Sequence, residues 1–272
     1  MKKIFIVFVL CISFLLQGCT SETDETMNIF VLEAGKADAI IIDTENGAVL
    51  IDSGLEENKD QLLEALESRG ITELYAMIIT HFDKDHVGGA DWVLNEMNVK
   101  YVYTSYETKT SDDIASFEEA LKNAGLSATV INGTQTFRLG DAVFEMNGAS
   151  GNYEKNESNN SSLIIKVTFG TETYLFAGDA QNERIEEYLE NNDADCDFLK
   201  VPYHGHYQKM LDELLAEASP EVSVITDSSE EPEESELTKT LSLLEEYGSD
   251  VYCTKDGSIE IACTKTGFQV SQ

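Results

Sequence analysis

The sequence predicts a mixed α/β (α+β) fold in which two β-sheets pack face to face and helices cover their outer sides. Short β-branched runs alternate with amphipathic runs along the chain, and this alternation occurs in two successive halves. Apolar residues make up 42% of the 272 residues and recur to the end of the chain, which is long enough to bury a substantial core. Sheets and helices that are apolar on one side are stable in such layers.

In the first half, the strands are short runs rich in branched apolar residues, and the helices end at a glycine. Gly70 and Gly125 are two such terminators. The predicted strands cover 29–32, 39–43, 48–51, 74–80, 99–104, 127–131, 136–139 and 142–147, and the predicted helices cover 58–69, 90–97 and 112–124. A polar loop is predicted at 148–158.

The second half repeats this pattern, with a hairpin over residues 170–172 and a further hairpin turn predicted at 255–258. In the latter, Cys253 would lie opposite Glu260 and Cys263 would fall on the other face, so we expect no disulfide between the two cysteines. The other predicted strands cover 163–169, 173–177, 197–201 and 222–226, and the predicted helices cover 182–191, 209–218 and 237–247.

The first 18 residues have the pattern of a secretory signal peptide. Lys2 and Lys3 precede an apolar stretch at 4–16, which is too short for a comfortable membrane-spanning helix. The Leu-Gln-Gly-Cys run that ends at Cys19 resembles the lipobox of bacterial lipoproteins, which implies that Cys19 becomes the lipidated first residue. An ordinary signal peptide, or an uncleaved anchor with an incidental cysteine, is the alternative.

These features divide the chain into a signal peptide at 1–18, a lipidated cysteine with a polar tether at 19–26, and one folded domain at 27–272. We expect the mature protein outside a bacterial membrane, anchored through Cys19. Without the two lysines of the signal peptide, it has 16 basic and 51 acidic residues, a formal charge of −35. This charge disfavours long nucleic acid as a partner unless metal ions or a local basic patch offset it, and a solvated acidic surface is the simpler interpretation.

All four histidines lie in two short clusters, each directly after an apolar strand. The first cluster contains His81 and His86, and the second contains His204 and His206. Loops at strand ends are where α/β folds place functional residues. A lone histidine is usually a satisfied surface or core residue, but four of them concentrated beside aspartates are better explained as metal ligands.

Carboxylates complete this set of candidate ligands. Asp83 and Asp85 lie between the first two histidines, and the glycine pair at 88–89 permits close approach of the backbone around them. Asp179 follows another strand and is the candidate to bridge two adjacent metal ions. Imidazole nitrogens and carboxylate oxygens together bind zinc, manganese or iron.

The run His-Phe-Asp-Lys-Asp-His that begins at His81 resembles the HxHxDH signature of the metallo-β-lactamase superfamily, in the HxDxDH form of its ComEC-type competence-protein branch. Other stretches resemble further motifs of this family, in the family's order and over nearly all of the mature chain. They are Ala-Gly-Lys-Ala-Asp-Ala at 34–39, Leu-Ile-Asp-Ser-Gly at 50–54, Asn-Ser-Ser-Leu at 160–163, Phe-Ala-Gly-Asp at 176–179 and Lys-Val-Pro-Tyr-His-Gly at 200–205.

The resemblance implies a four-layer αββα sandwich with two divalent metal ions, zinc or manganese, in a cleft at the sheet edges. The six ligands that it implies are His81 and Asp83 for one ion, Asp85, His86 and His204 for the other, and Asp179 as the bridge. Two such ions lower the pKa of a bridging water, so that hydroxide forms near neutral pH. Asp85 would also hold the proton of this nucleophile, and the implied reaction is hydrolysis.

Two residues depart from the family pattern. Asp83 replaces a histidine, and no histidine lies between His86 and His204, so the first ion is short of nitrogen ligands, which favours manganese or weaker zinc binding. Asn160 could contribute there, although a strand cap is the better interpretation. His206 replaces a serine and could donate a proton to a leaving group or contact a substrate phosphate, while a structural or exposed role is equally open. Lys84 and Tyr203 border the site and could touch substrate, although surface positions are the simpler interpretation.

The ComEC-type resemblance implies phosphodiester hydrolysis, and the charge of the chain favours a small phosphoester or a phosphorylated envelope polymer over long nucleic acid. Hydrolysis of a β-lactam or lactone is one alternative, which Asp83 disfavours because those enzymes keep a nitrogen-rich first site. A non-catalytic, metal-binding envelope lipoprotein is another alternative, and the intact set of histidines and aspartates argues against it.

Overall fold

The computed structural model describes residues 25–151, 153–227 and 234–272. The expected signal peptide, the expected lipidation site Cys19 and most of the expected tether lie outside the described residues. Within the described part of the chain, no helix combines the length and the apolar character needed to cross a membrane.

Strands and helices alternate along the described residues, largely as the sequence predicts. The strands are β1 (Met27–Val31), β2 (Ile40–Thr44), β3 (Gly47–Ile51), β4 (Glu73–Ile79), β5 (Asn98–Thr104), β6 (Thr129–Val130), β7 (Thr134–Leu139), β8 (Ala142–Asn147), β9 (Ile164–Phe169), β10 (Glu172–Phe176), β11 (Phe198–Lys200), β12 (Val222–Ile225), β13 (Asp250–Cys253), β14 (Ile259–Thr264) and β15 (Gly267–Ser271). The helices are α1 (Lys59–Ser68), α2 (Lys84–Val87), α3 (Ala90–Glu96), α4 (Asp112–Ala124), α5 (Glu157–Asn160), α6 (Asn182–Asn191), α7 (Met210–Ala218) and α8 (Glu234–Glu246).

These strands form two sheets, which confirms the predicted two-sheet fold. The first sheet has the order β15-β14-β1-β2-β3-β4-β5-β6, and the second has the order β13-β12-β11-β10-β9-β8-β7. Strands β3, β4 and β5 are parallel neighbours in the first sheet, as β10, β11 and β12 are in the second. Parallel strands of one sheet end at the same edge, and this arrangement places their following loops together.

The two sheets share an apolar core. Val49 and Ile78 of the first sheet and Phe144 and Phe198 of the second belong to one buried cluster. Neighbouring residues of the same strands, such as Leu50, belong instead to clusters under the outer helices. Both faces of each sheet are therefore buried, and the layers run helix, sheet, sheet, helix.

The outer helix α4 shows how the sequence sets helix ends. Ser111 precedes this helix, and its hydroxyl accepts a hydrogen bond from the Ile114 backbone N–H at 3.2 Å. Gly125 ends it with φ of 69°, in the left-handed region that glycine adopts without strain. The apolar residues Ile114, Phe117 and Leu121 are buried.

The hairpin predicted at 255–258 is wrong. Cys253 ends β13, which lies parallel to β12 in the second sheet, whereas Cys263 lies in β14 opposite Met27 in the first sheet. Residues 254–258 therefore carry the chain from one sheet to the other, and β14 and β15 form the C-terminal hairpin. Cys253 and Cys263 are free thiols.

Candidate metal centre

The predicted ligands follow strands of both sheets. His81 follows β4 of the first sheet, whereas Asp179 follows β10 and His204 follows β11 of the second sheet. Each sheet therefore contributes part of one cluster, which lies where these strands end.

Four of the six predicted ligands form a tight cluster. His204 Nε2 lies 3.3 Å from Asp179 Oδ2 and 3.4 Å from Asp85 Oδ2, and His86 Nε2 lies 3.4 Å from Asp179 Oδ1. Ligands at metal bonds of about 2.0–2.2 Å in a tetrahedral site are about 3.3–3.6 Å apart. The spacing of this inner cluster (Asp85, His86, Asp179 and His204) therefore fits one metal ion of the size of zinc.

The polar atoms that face the cluster have no hydrogen-bond partner, although they are buried. These atoms are His81 Nε2, His86 Nε2, His204 Nε2 and Asp179 Oδ1. Buried polar side-chain atoms are almost always paired in folded proteins, so four orphaned atoms in one place call for an explanation. Divalent ions bound by these residues would satisfy the orphaned atoms, and the donor set of nitrogen and carboxylate oxygen is one that binds such ions.

Electrostatics favour a cation at this position. Burial by itself would lower the pKa of His204, but the carboxylates of Asp179 and Asp85 outweigh burial and raise this pKa to about 9. Burial would conversely raise the pKa of Asp179, yet His204 and His86 hold it well below its usual range. The carboxylates thus hold protons on the histidines, and a divalent ion would compete for the same position.

Asp52 orients His86 from behind. The Nδ1 of His86 lies 2.8 Å from Asp52 Oδ2, and both residues are fully buried. Asp52 also accepts hydrogen bonds from the backbone N–H and the hydroxyl of Thr80, each at 2.7 Å. A carboxylate on Nδ1 fixes the ring so that Nε2 presents its lone pair to the cluster. The Leu-Ile-Asp-Ser-Gly motif indicated this position, but its role became evident only from the fold.

Replacing Asp52 with Asn is expected to weaken metal binding by about 10- to 100-fold, the usual cost of losing an outer partner of a ligating histidine. The Asn oxygen can still accept from Thr80, whereas its amide group cannot accept the His86 N–H. Titration calorimetry with Zn²⁺ or Mn²⁺ measures the change. The half-buried Asp43 of β2 provides the control in Asp43→Asn, and equal affinities for the two variants would refute the assignment.

His204 has a longer chain of supporting contacts. Its Nδ1 lies 3.1 Å from both the carbonyl oxygen and the hydroxyl of Thr226, and this hydroxyl donates to Asp38 Oδ1 at 2.6 Å. Asp38 Oδ2 lies 2.5 Å from the ammonium of Lys200, which is fully buried. Because a carbonyl only accepts, Nδ1 carries hydrogen and Nε2 faces the cluster. The predicted ligand set omitted Asp38, Lys200 and Thr226.

The turn that carries His204 has an unusual backbone. Tyr203, His204 and Gly205 are left-handed in succession, with φ of 52°, 49° and 78°. Two non-glycine residues in this region store strain that the surrounding contacts must offset. At Gly205 a side chain would also collide with Ile225, since an added Cβ would lie 2.9 Å from its Cγ2.

The expected close approach at residues 88–89 is present. A Cβ added at Gly89 would lie 2.6 Å from the carbonyl oxygen of Ser53, and one added at Gly88 would lie 2.9 Å from Glu56 N. The Ser53 backbone N–H and hydroxyl both donate to the carbonyl oxygen of His86 at 2.8 Å. These contacts pack the residues after β3 against the histidine motif.

The remaining two predicted ligands, His81 and Asp83, are more widely spaced than the inner cluster. We call the place between them the outer position. His81 Nε2 lies 3.8 Å from Asp83 Oδ2 and 4.0 Å from Asp179 Oδ2. Burial alone would raise the pKa of Asp83, but the nearby His81 imidazole and the hydrogen bonds from Lys109 and Ser158 hold this pKa well below its usual range. Asp83 is therefore an anion that already has partners within the chain.

Asn160 serves as a cap. Its Oδ1 accepts from the backbone N–H groups of Gln181 and Arg184 at 3.1 and 3.3 Å, at the start of α6, and its amide donates to Lys155. The capping role is the one favoured on sequence grounds, although the capped element is a helix and not a strand.

His206 borders the inner cluster without joining it. Its Nε2 lies 2.5 Å from Lys36 Nζ, its Nδ1 lies 3.3 Å from Glu236 Oε2, and its side chain is 28% exposed. The ring contacts Tyr203 with 4.8 Å between centroids. Since an ammonium only donates, Nε2 accepts from Lys36 and Nδ1 donates to Glu236. The suggested proton-donor and substrate-contact roles of His206 remain predictions.

A family model described as the metallo-β-lactamase superfamily matches residues 32–225, a span that contains all six predicted ligands. ComE operon protein 3 of Bacillus subtilis is 22% identical to this chain over 262 residues, which cover 89% of this chain and 33% of that protein. The chain spans about a third of the length of the curated relatives that it matches.

Two solved structures share the fold. The metallo-β-lactamase fold protein YhfI of Bacillus subtilis has a TM-score of 0.56 at 12% identity, with 91% of this chain and 100% of that chain covered. CmlA, a diiron β-hydroxylase from Streptomyces venezuelae, has a TM-score of 0.58 at 13% identity, with 89% and 54% covered. At these identities the likeness shows the architecture alone.

Proposed function

The chain belongs to the metallo-β-lactamase superfamily, and from this premise we propose that it is an exported metal-dependent phosphodiesterase or phosphoesterase. That the chain is a metal-dependent hydrolase of this fold follows from its family and from the cluster of histidines and aspartates. The ester class, two ions of zinc or manganese, and tethering to a bacterial membrane through Cys19 are the proposed parts.

The main support for a phosphoester substrate is the position of two lysines beside the cluster. Lys36 contacts His206, two residues after His204, and Lys109 contacts Asp83, two residues before Asp85. The whole chain has only 18 lysines and arginines against 51 acidic residues. Two ammonium groups beside a metal cluster on so acidic a protein favour an anionic substrate, and a phosphoester combines that charge with the oxygens such ammonium groups bind.

The metal ligands, Asp85 and Lys36 would have different roles in the proposed hydrolysis. Divalent ions held by the cluster would supply an acidified water and a Lewis acid for the phosphoryl oxygens. Asp85, which contacts His204 through one carboxylate oxygen at 3.4 Å, would accept the proton of the attacking water. Lys36, whose ammonium contacts His206, would bind a non-bridging oxygen of the phosphoryl group, while the hydroxide attacks phosphorus and the ester oxygen leaves.

The strong negative charge of the chain limits the size of the substrate. A polyanion is repelled at long range, whereas a small phosphoester or a single phosphate of an envelope polymer meets mainly the local field of Lys36 and Lys109. The proposed substrate is therefore a small or envelope phosphoester, and long nucleic acid is disfavoured.

Assays of the purified protein with Mn²⁺ or Zn²⁺ test the proposal. We expect turnover of bis-p-nitrophenyl phosphate and little turnover of long single-stranded DNA. No turnover of any phosphoester with either metal, together with hydrolysis of nitrocefin or a lactone, would contradict it. Less than one bound ion per chain after gentle purification would favour a non-catalytic lipoprotein.

Replacing Lys36 with Met is expected to raise the KM for bis-p-nitrophenyl phosphate about tenfold, with a smaller effect on kcat, because one charge-assisted contact to the substrate is lost. Steady-state kinetics at fixed ionic strength measure the split. Lys59, the first residue of helix α1, pairs with Glu56 at 3.7 Å and gives the matched control in Lys59→Met. An unchanged KM in Lys36→Met would remove this residue from the substrate site.

A further inference from the structure

The ammonium group of Lys109 is bound to a carboxylate oxygen that a metal ion in the outer position would need. Its ammonium contacts Asp83 Oδ1, and the hydroxyl of Ser158 contacts the same oxygen. Lys109 follows strand β5 and its side chain is 41% exposed, while that of Asp83 is 26% exposed. One oxygen of Asp83 is thus already bound by a cation and a hydroxyl of the chain itself.

The outer position has little else to offer a metal ion. Its remaining donors are His81 Nε2, Asp83 Oδ2 and the Asp179 oxygen that also faces His204. The distances of 3.8 and 4.0 Å from His81 to the two carboxylates exceed the 3.3–3.4 Å spacing in the inner cluster. All four histidines of the chain are accounted for, so no further imidazole can complete this position.

The inner cluster differs in its partners. Asp85 and Asp179 lie against His86 and His204, whose imidazole nitrogens can themselves bind the metal ion. The Lys109 ammonium is a cation and not a ligand, so it must move away instead. A second divalent ion beside Asp83 would lie within a few ångströms of the Lys109 charge, where like charges repel strongly in a partly buried site.

We propose that Lys109 competes with the second metal ion for binding to Asp83. The inner cluster binds one divalent ion by itself, and the outer position binds a second ion only when the Lys109 ammonium leaves Asp83. The exchange replaces the single positive charge beside Asp83 by the two of the metal ion. This proposal rests on the metal-binding part of the proposed function and not on its substrate.

Titration calorimetry of the full-length chain, solubilised in detergent and stripped of metal, tests the proposal with Mn²⁺ as the probe. We expect the natural protein to bind one ion tightly and a second at least about tenfold more weakly. Lys109→Met should tighten the second site about tenfold and leave the first unchanged, because the competing charge is gone. Lys109→Arg keeps the charge and should bind like the natural protein.

Asp83→Asn supplies the second variant, since it should abolish the second site whether Lys109 is present or replaced by Met. Thermal unfolding of each metal-free variant controls for folding. A second-site affinity in Lys109→Met within twofold of the natural value, or a second ion retained by Asp83→Asn, would overturn the proposal. If the proposed phosphodiesterase activity is wrong, the protein would still bind both ions but would not turn over a phosphoester. That result can be told apart from a failure of the Lys109 proposal.

Discussion

Asp179→Asn is expected to lower kcat/KM for bis-p-nitrophenyl phosphate by about 10³-fold or more. Asp179 directs one oxygen at His86 and the other at His204, 3.4 and 3.3 Å away, so it is the residue that links the two halves of the inner cluster. An amide has one neutral acceptor where the carboxylate has two charged ones, and loss of one preorganised group typically costs about 10²- to 10³-fold in rate.

Kinetics and metal content measured on the same samples check this expectation. The bound Mn²⁺ or Zn²⁺ should fall together with the activity, since the amide weakens the cluster itself. Asp250→Asn, an exposed aspartate in β13, is the matched control and should change neither quantity. Activity within tenfold of the natural enzyme in Asp179→Asn would show that this aspartate does not bridge the cluster.

Metal removal is expected to lower the free energy of unfolding by a few kcal/mol. An ion that binds only the native state at a hundredfold excess over its Kd adds about 2.7 kcal/mol to the free energy of unfolding. For a domain of this size that corresponds to roughly 5–11 °C in Tm. The orphaned nitrogens of His81, His86 and His204 give the structural reason, because they are buried and lack other partners.

Differential scanning calorimetry with and without Zn²⁺ or Mn²⁺, after treatment with a chelator, measures this shift. Asp179→Asn provides the control, because a shift caused by binding at the cluster should nearly disappear in that variant. A shift of the same size in Asp179→Asn would place the stabilising ion elsewhere on the acidic surface.

The layers of the fold, and the residues that cluster as candidate ligands, could be predicted from the sequence because both depend on local patterns. The helix at 112–124 was predicted at its observed bounds, since Ser111 and Gly125 mark its ends chemically. The six ligand residues lie in two short motifs and one strand end, and the structure brings four of them within bonding distance of one ion.

What the sequence could not predict depends on contacts between distant segments. Lys200 lies in an apolar strand, and only the fold shows that its ammonium is buried against Asp38. The contact between Lys109 and Asp83 joins residues on different loops, and no spacing rule indicates it. Asp256-Gly257 has the local chemistry of a hairpin, but pairing of β13 with β12 and of β14 with β1 outweighs this preference.

The inner cluster joins Asp85 and His86, near the first third of the chain, to Asp179 and His204 beyond its middle. No early fragment of the polypeptide contains the whole donor set, so capture of the ion must be among the last steps of maturation. A chain that is exported before it folds would acquire its metal on the far side of the membrane. The ion that the enzyme carries would then reflect the extracellular supply rather than the cytoplasmic pool.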